Sequence, residues 1–116
     1  MPAAGGPACA ALAARTYLHL TAVRDAGAGG LTVTGNPARL VCGGPDDSHY
    51  EVGAGRATGQ VVAGASVITF ALATMSPKAI SASQLAAYLA GDQGTRIFLV
   101  SGPLTRITGL AEEFHP

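Results

Sequence analysis

The sequence predicts an α+β domain: an antiparallel sheet of about five strands with one or two helices packed on one face. Three observations point there. Apolar residues alternate with period two in several separate segments, the mark of strands buried on one side. One segment, residues 82–90, instead repeats its apolar positions at helical spacing. No β-α-β rhythm separates the strands, which disfavours a parallel sheet covered on both faces.

A chain of 116 residues has room for one core, expected over residues 8–116. Residues 1–7, rich in Ala, Gly and Pro, are expected to form a disordered tail. Residues 8–14 have the propensity for a short helix. Residues 16–24 then switch to period two, with Leu18, Leu20 and Ala22 on one face and Tyr17, His19, Thr21 and Val23 on the other. Residues 25–30 read as a Gly-rich turn. Residues 31–42 read as a β-hairpin whose turn is Gly35-Asn36-Pro37. Residues 43–47 form a loop, and 48–52 a short strand or its continuation. After flexible 53–59, residues 60–73 hold one long bent strand or two shorter ones, with Ile68, Phe70 and Leu72 on the buried face. The helix at 82–90 opens on Ser81-x-x-Gln84, a capping box, and Gly91 is placed to stop it. Residues 95–101 form a strand, Gly102-Pro103 a turn, and 106–114 either a strand or a closing helical turn.

Composition sets the energetics. The apolar fraction is 48%, but 23 residues are Ala and 16 are Gly, with no Trp and only three Phe and three Tyr. Such a core buries little area per residue, so a covalent staple is valuable. Cys9 and Cys42 supply a candidate: in an exported chain they pair, and in a reducing compartment they remain buried thiols. Neither lies in a C-x-x-C motif, which weakens redox and zinc readings. The N-terminus lacks the basic start and apolar run of a signal peptide and reads as the loose start of a mature secreted chain. Arg over Lys with abundant Ala and Gly is associated with high-GC bacterial genomes.

Seven basic residues balance seven acidic ones, and the basic set is spread almost evenly along the chain. No basic stripe with interleaved aromatics is present, which disfavours nucleic acid as a partner. A membrane is disfavoured too, because the longest apolar run, residues 61–73, is too short to cross one.

The densest polar cluster is Asp46-Asp47-Ser48-His49-Tyr50-Glu51. If extended, it sends Asp47, His49 and Glu51 to one side and Ser48 and Tyr50 to the other. A carboxylate–imidazole–carboxylate row offers ligands to a divalent metal or orients His49 as a general base. Three ligands from one local strand rarely suffice, however, and the segment reads better as a polar binding epitope made of Asp46, Asp47, His49, Tyr50 and Glu51. Ser48, His49 and Asp47 are neighbours on one strand and do not point at one another, and no Gly-x-Ser-x-Gly elbow presents a nucleophile. His19 belongs to the wetter face of its strand, and His115 ends the chain. The Gly-rich stretches lack the Lys and Ser/Thr of a phosphate-binding loop. The expectation is no catalytic residue, no metal and no cofactor.

The strand Tyr17-Leu18-His19-Leu20-Thr21-Ala22-Val23, followed by a second strand ending in Cys42 and a Gly/Pro loop, resembles the opening of the Streptomyces-type subtilisin inhibitors. That resemblance implies a small exported protein with an antiparallel sheet and two helices that binds other proteins. The cysteine pattern departs from the family's two disulfides: here the partner cysteine precedes the first strand, and the pair that braces the reactive loop is absent. No reactive-site residue is carried over. The expected function is a secreted, disulfide-stapled protein-binding module, an inhibitor or assembly component. The alternatives are a small metal-dependent or hydrolytic enzyme centred on His49, and a cytosolic homodimeric subunit paired through a sheet edge.

Overall fold

A computed structural model describes residues 7–43 and 48–113. Its elements are α1 (Pro7–Ala13), β1 (Thr16–Gly27), β2 (Gly30–Val41), β3 (His49–Val52), β4 (Ala57–Ala71), β5 (Ser76–Ile80), a 3-10 turn (Ala82–Gln84) running into α2 (Leu85–Ala90), β6 (Ile97–Ser101) and β7 (Ile107–Glu112). Of the disordered tail expected over residues 1–7, residues 1–6 lie outside the described residues, and Pro7 opens α1 instead.

The expected α+β sheet is corrected to a mostly-β barrel. Strands β1, β2, β4, β7 and β6 close on themselves, because β2 pairs with β4 as well as with β1. The other barrel pairings are β4–β7, β7–β6 and β6–β1. The β4–β7 pair is parallel, so the expectation of a wholly antiparallel sheet also fails. β3 and β5 hang on the outside as terminal strands. With a helix between the third and fourth barrel strands, this is the connectivity of the OB-type Greek-key barrel.

Two glycine positions explain why the strands are longer than the sequence suggested. Gly35 does not turn the chain. It sits in the β1–β2 ladder opposite Leu20, beside a bulge at Thr21, and any Cβ there would fall onto the His19 carbonyl oxygen. A glycine needed for close approach therefore resembled a hairpin turn. The actual turn comes earlier, at Ala28-Gly29, where φ is positive for Gly27, Ala28 and Gly29. Gly64, at φ +79°, bends β4 where its ladder with β7 slips between Val61 and Ser66. The first half of β4 thus completes the barrel with β2, and the second half turns away to pair with β5.

Inside the barrel lie Leu18, Leu20, Val33, Val61, Val67, Phe98, Val100, Ile107 and Leu110, all nearly inaccessible. The helix at 82–90 forms as expected. Gln84 Oε1 accepts the Ser81 amide at 2.9 Å, and Leu85 and Leu89 from its buried stripe close one end of the barrel. Gly91 stays right-handed, however, and the reversal falls on Asp92, at φ +53°.

Tyr17 and Leu40 are buried but do not belong to this core. Tyr17 alternates with Leu18 and so projects from the outside of the barrel. Its hydroxyl donates to the Leu12 carbonyl of α1 at 2.8 Å. A second, smaller packing layer therefore lies outside the barrel, beneath α1, which the Cys9–Cys42 disulfide ties to the end of β2.

Candidate functional site

β2 outlasts the barrel. Leu31–Gly35 pair with β4, whereas Ala38–Val41 pair with β3, so the β2–β3 ribbon projects beyond the closed wall. Arg39 stands opposite Glu51 in this ribbon. Arg39 Nη2 and Nε lie 2.8 and 3.2 Å from Glu51 Oε1. His49 Nε2 lies 3.1 Å from the other carboxylate oxygen, Oε2. Glu51 and His49 share one face, as period two requires, and Arg39 joins them across the ladder. The hydrogen bonds from Arg39 first, then His49, hold the Glu51 carboxyl below the usual carboxylate range. All three side chains are solvent-exposed, so the row adds little stability. It presents alternating charge instead. A shallow cavity of about 330 Å³ runs beside it, lined by Pro37, Arg39, Glu51, Val52 and Gly53.

Tyr50 turns to the opposite face and packs edge-on against Tyr17, ring centroids 5.2 Å apart. Its hydroxyl reaches Glu113 Oε1 at 3.5 Å. Burial first, then the Glu113 charge, raises the Tyr50 phenol far above its ordinary value. Tyr50 therefore anchors the ribbon rather than projecting as a contact residue. Asp46 and Asp47 lie outside the described residues.

Burial also raises the Glu113 carboxyl, more than the Tyr50 hydrogen bond and Arg15 lower it. A raised folded-state value means that the native state holds its proton more tightly. Stability from this group is then lost as pH rises from the unfolded carboxyl value through the folded one. Glu113→Gln is expected to be at least as stable as the native protein at pH 7, by under about 1 kcal/mol because the group is only half-buried and solvent still screens it. The difference should vanish below pH 4 in urea titrations, where both states hold the proton, and a variant clearly less stable at pH 7 would contradict the assignment.

Among the described residues, no three His, Cys, Asp or Glu side chains group as metal ligands. His19 pairs with Asn36 and Ile97, while His49 pairs with Val41 further along β2, so the ladder keeps these histidines at separate positions. His19 Nδ1 is buried without a hydrogen-bond partner among the described residues. His115 lies outside them.

Sequence reasoning missed Glu112. Its side chain is 5% exposed and turns into the end of the barrel. Oε1 accepts the Phe70 amide at 2.7 Å and the Tyr88 hydroxyl, and Oε2 accepts the Arg96 amide at 2.9 Å. Gly94 leaves the room, since a Cβ there would strike both Glu112 and Tyr88. All three partners are protein donors, so the carboxylate bridges β4, α2 and the start of β6. The available signal was Leu110 and Glu112 at period-two spacing, which places the acid on the inward side.

The β1–β2–β4 wall carries two outward rows, Arg24–Thr32–Gln60 and Ala22–Thr34–Thr58. Thr32 Oγ1 donates to Gln60 Oε1 at 3.0 Å. No family model matches the chain, and no curated protein or solved structure matches it.

Proposed function

We propose that the protein is a small secreted, disulfide-stapled protein-binding module, an inhibitor or assembly component. The observation that carries this is the Arg39–Glu51–His49 row on a projecting ribbon, backed by Tyr50 on Tyr17 and tethered at Cys42. A patterned charge row on a pre-anchored strand loses little entropy on binding, which favours recognition of a complementary protein surface. The Cys9–Cys42 bond persists in oxidising compartments, which supports export. No helix among the described residues is long and apolar enough to cross a membrane.

Catalysis is a poorer fit. The Glu51 carboxylate is already engaged by Arg39 and His49 in the open, without the desolvation that tunes a general base. Barrels of this connectivity often bind oligonucleotides on the wall formed by their second and third strands. Here that wall offers Thr32, Thr34, Thr58 and Gln60 with Arg24, and no aromatic on which a base would stack. Connectivity alone does not assign function.

The test is capture of partners from the native culture supernatant on immobilised, oxidised protein, with Glu51→Lys in parallel. A captured protein whose recovery falls at least tenfold with Glu51→Lys, at unchanged melting temperature, is expected. Two free thiols in the native protein, or no captured partner, would overturn the proposal.

A further inference from the structure

Among the described residues the sheet leaves three strand edges open, and they are not equivalent. The β5 edge carries Pro77 and Lys78, both of which discourage strand addition. β3 is only four residues long and bears the Glu51 carboxylate with the His49 ring beside it. The third open edge belongs to β1. On the side away from β2, β6 covers Thr16–His19, and Leu20 donates its amide to the Arg96 carbonyl at 2.9 Å. Beyond Leu20 no strand among the described residues pairs with this edge.

The Thr21 bulge resets the alternation of β1. Val23 and Asp25 then take up the orientation that Leu20 has, turning their amides and carbonyls to the open edge. Facing that edge is α2 with the turn before it. Two adjoining cavities of about 270 and 210 Å³ lie between them, and Val23 and Ala86 line both. Ala82 lines the first, while Ala90 and Arg96 line the second. The result is one groove with a backbone edge that no described strand pairs on one wall, alanine methyl groups on the other, and a cation at one end.

We propose that this groove takes an extended peptide segment of a partner protein as an added strand, antiparallel to β1 and in line with β6. Small apolar side chains would lie against Ala82 and Ala86, and its C-terminal carboxylate beside Arg96. An unpaired amide and carbonyl edge is matched by another strand's backbone, and the alanine wall leaves space for alternate side chains. A strand in line with β6 delivers its last residue to Arg96, the residue that leads into β6. Arg96 Nε is bonded to Asp92 and Nη2 to the Leu89 carbonyl. Its Nη1 has no partner among the described residues, and a carboxylate fits that remaining donor. This inference deepens the protein-binding reading and rests on it.

The experiment selects a random peptide library with free C-termini against the intact, oxidised protein. Selected peptides should slow amide exchange at Val23 and Asp25 at least tenfold. Ala86→Arg, an exposed helix position, should weaken binding at least tenfold, and amidating the peptide's C-terminus about fivefold or more, as expected for a charge-assisted contact. Val23 and Asp25 amides as protected as that of Leu20 before any peptide is added would overturn the proposal. So would selected peptides that respond to Glu51→Lys and not to Ala86→Arg, although the binding module itself would then stand. No selected peptide alongside successful capture from supernatant also rejects the groove alone, whereas failure of both rejects the binding module. A dimer in sedimentation that Ala86→Arg dissolves would replace the partner peptide with a second copy of the chain.

Discussion

Glu112→Ala is expected to lower unfolding free energy by about 3–5 kcal/mol, among the largest losses available to one side chain here. The reason lies in where the ladders stop. The last β4–β7 pair is Ile68 with Ala111, and the first β6 pair begins at Ile97. Phe70 and Arg96 thus have amides just past the ends of those ladders, and both donate to the Glu112 carboxylate. The side chain acts as a missing stretch of strand. Truncation leaves the Arg96 amide and the Tyr88 hydroxyl short of an acceptor in a buried place and takes the carboxylate acceptor from the Phe70 amide; an unmet donor costs about 1–3 kcal/mol where water cannot enter. Glu112→Gln keeps the shape but sets an NH2 group against a donor, so about half the loss is expected. Tyr88→Phe removes one donor and leaves the amides satisfied, for about 1 kcal/mol. Urea midpoints for the three variants should fall in the order Ala, Gln, Phe, with Ala lowest. A loss under about 1 kcal/mol for Glu112→Ala would show that water replaces the carboxylate and that the barrel end is open.

What the sequence disclosed was local. The alternation around Leu18 and Leu20, the Leu85–Leu89 spacing and the Ser81–Gln84 box depend on residues a few positions apart and formed where expected, although Ala86 of the same helical stripe stays exposed. The fold class did not follow, because barrel closure rests on β2 pairing with β4 and on β4 lying parallel to β7. No periodicity records which strands meet. Glycine compounded the problem: Gly35 marks a close approach and Gly64 a bend inside a strand, yet both have the composition of a loop. The candidate site divides the same way. Period two puts His49 and Glu51 on one side, but Arg39 lies 12 residues from Glu51 and meets it only through the β2–β3 register. Tyr50 was assigned to the opposite face, but that face is occupied. It packs on Tyr17 beneath α1, a short helix whose position depends on a covalent tie.

Breaking that tie, by reduction or by Cys9→Ala with Cys42→Ala, is expected to cost about 3–4 kcal/mol through the restored freedom of the unfolded chain. The crosslinked residues are 33 positions apart. For a domain of this size the loss corresponds to roughly 10–20 °C in melting temperature, and it comes out of a total that is rarely above about 15 kcal/mol. The loss should not be purely global. α1 has seven residues, too few to hold helical structure in isolation. Without Cys9 it keeps the Tyr17–Leu12 hydrogen bond but loses its covalent attachment to β2. Detachment of α1 would strip the cover from Tyr17, on which Tyr50 packs, while the barrel core, which includes neither tyrosine, stays closed. The reduced protein should therefore retain its strand circular dichroism at 25 °C, and tyrosine fluorescence should become accessible to a soluble quencher. Amides of residues 9–13 should exchange faster well before those of Leu18 or Val33. If reduction lowers the melting temperature but leaves tyrosine quenching unchanged below the transition, α1 holds by packing alone and the disulfide acts only on the unfolded chain. If the melting temperature does not move, the staple is dispensable, and the Ala-rich barrel is more stable by itself than its small core residues imply.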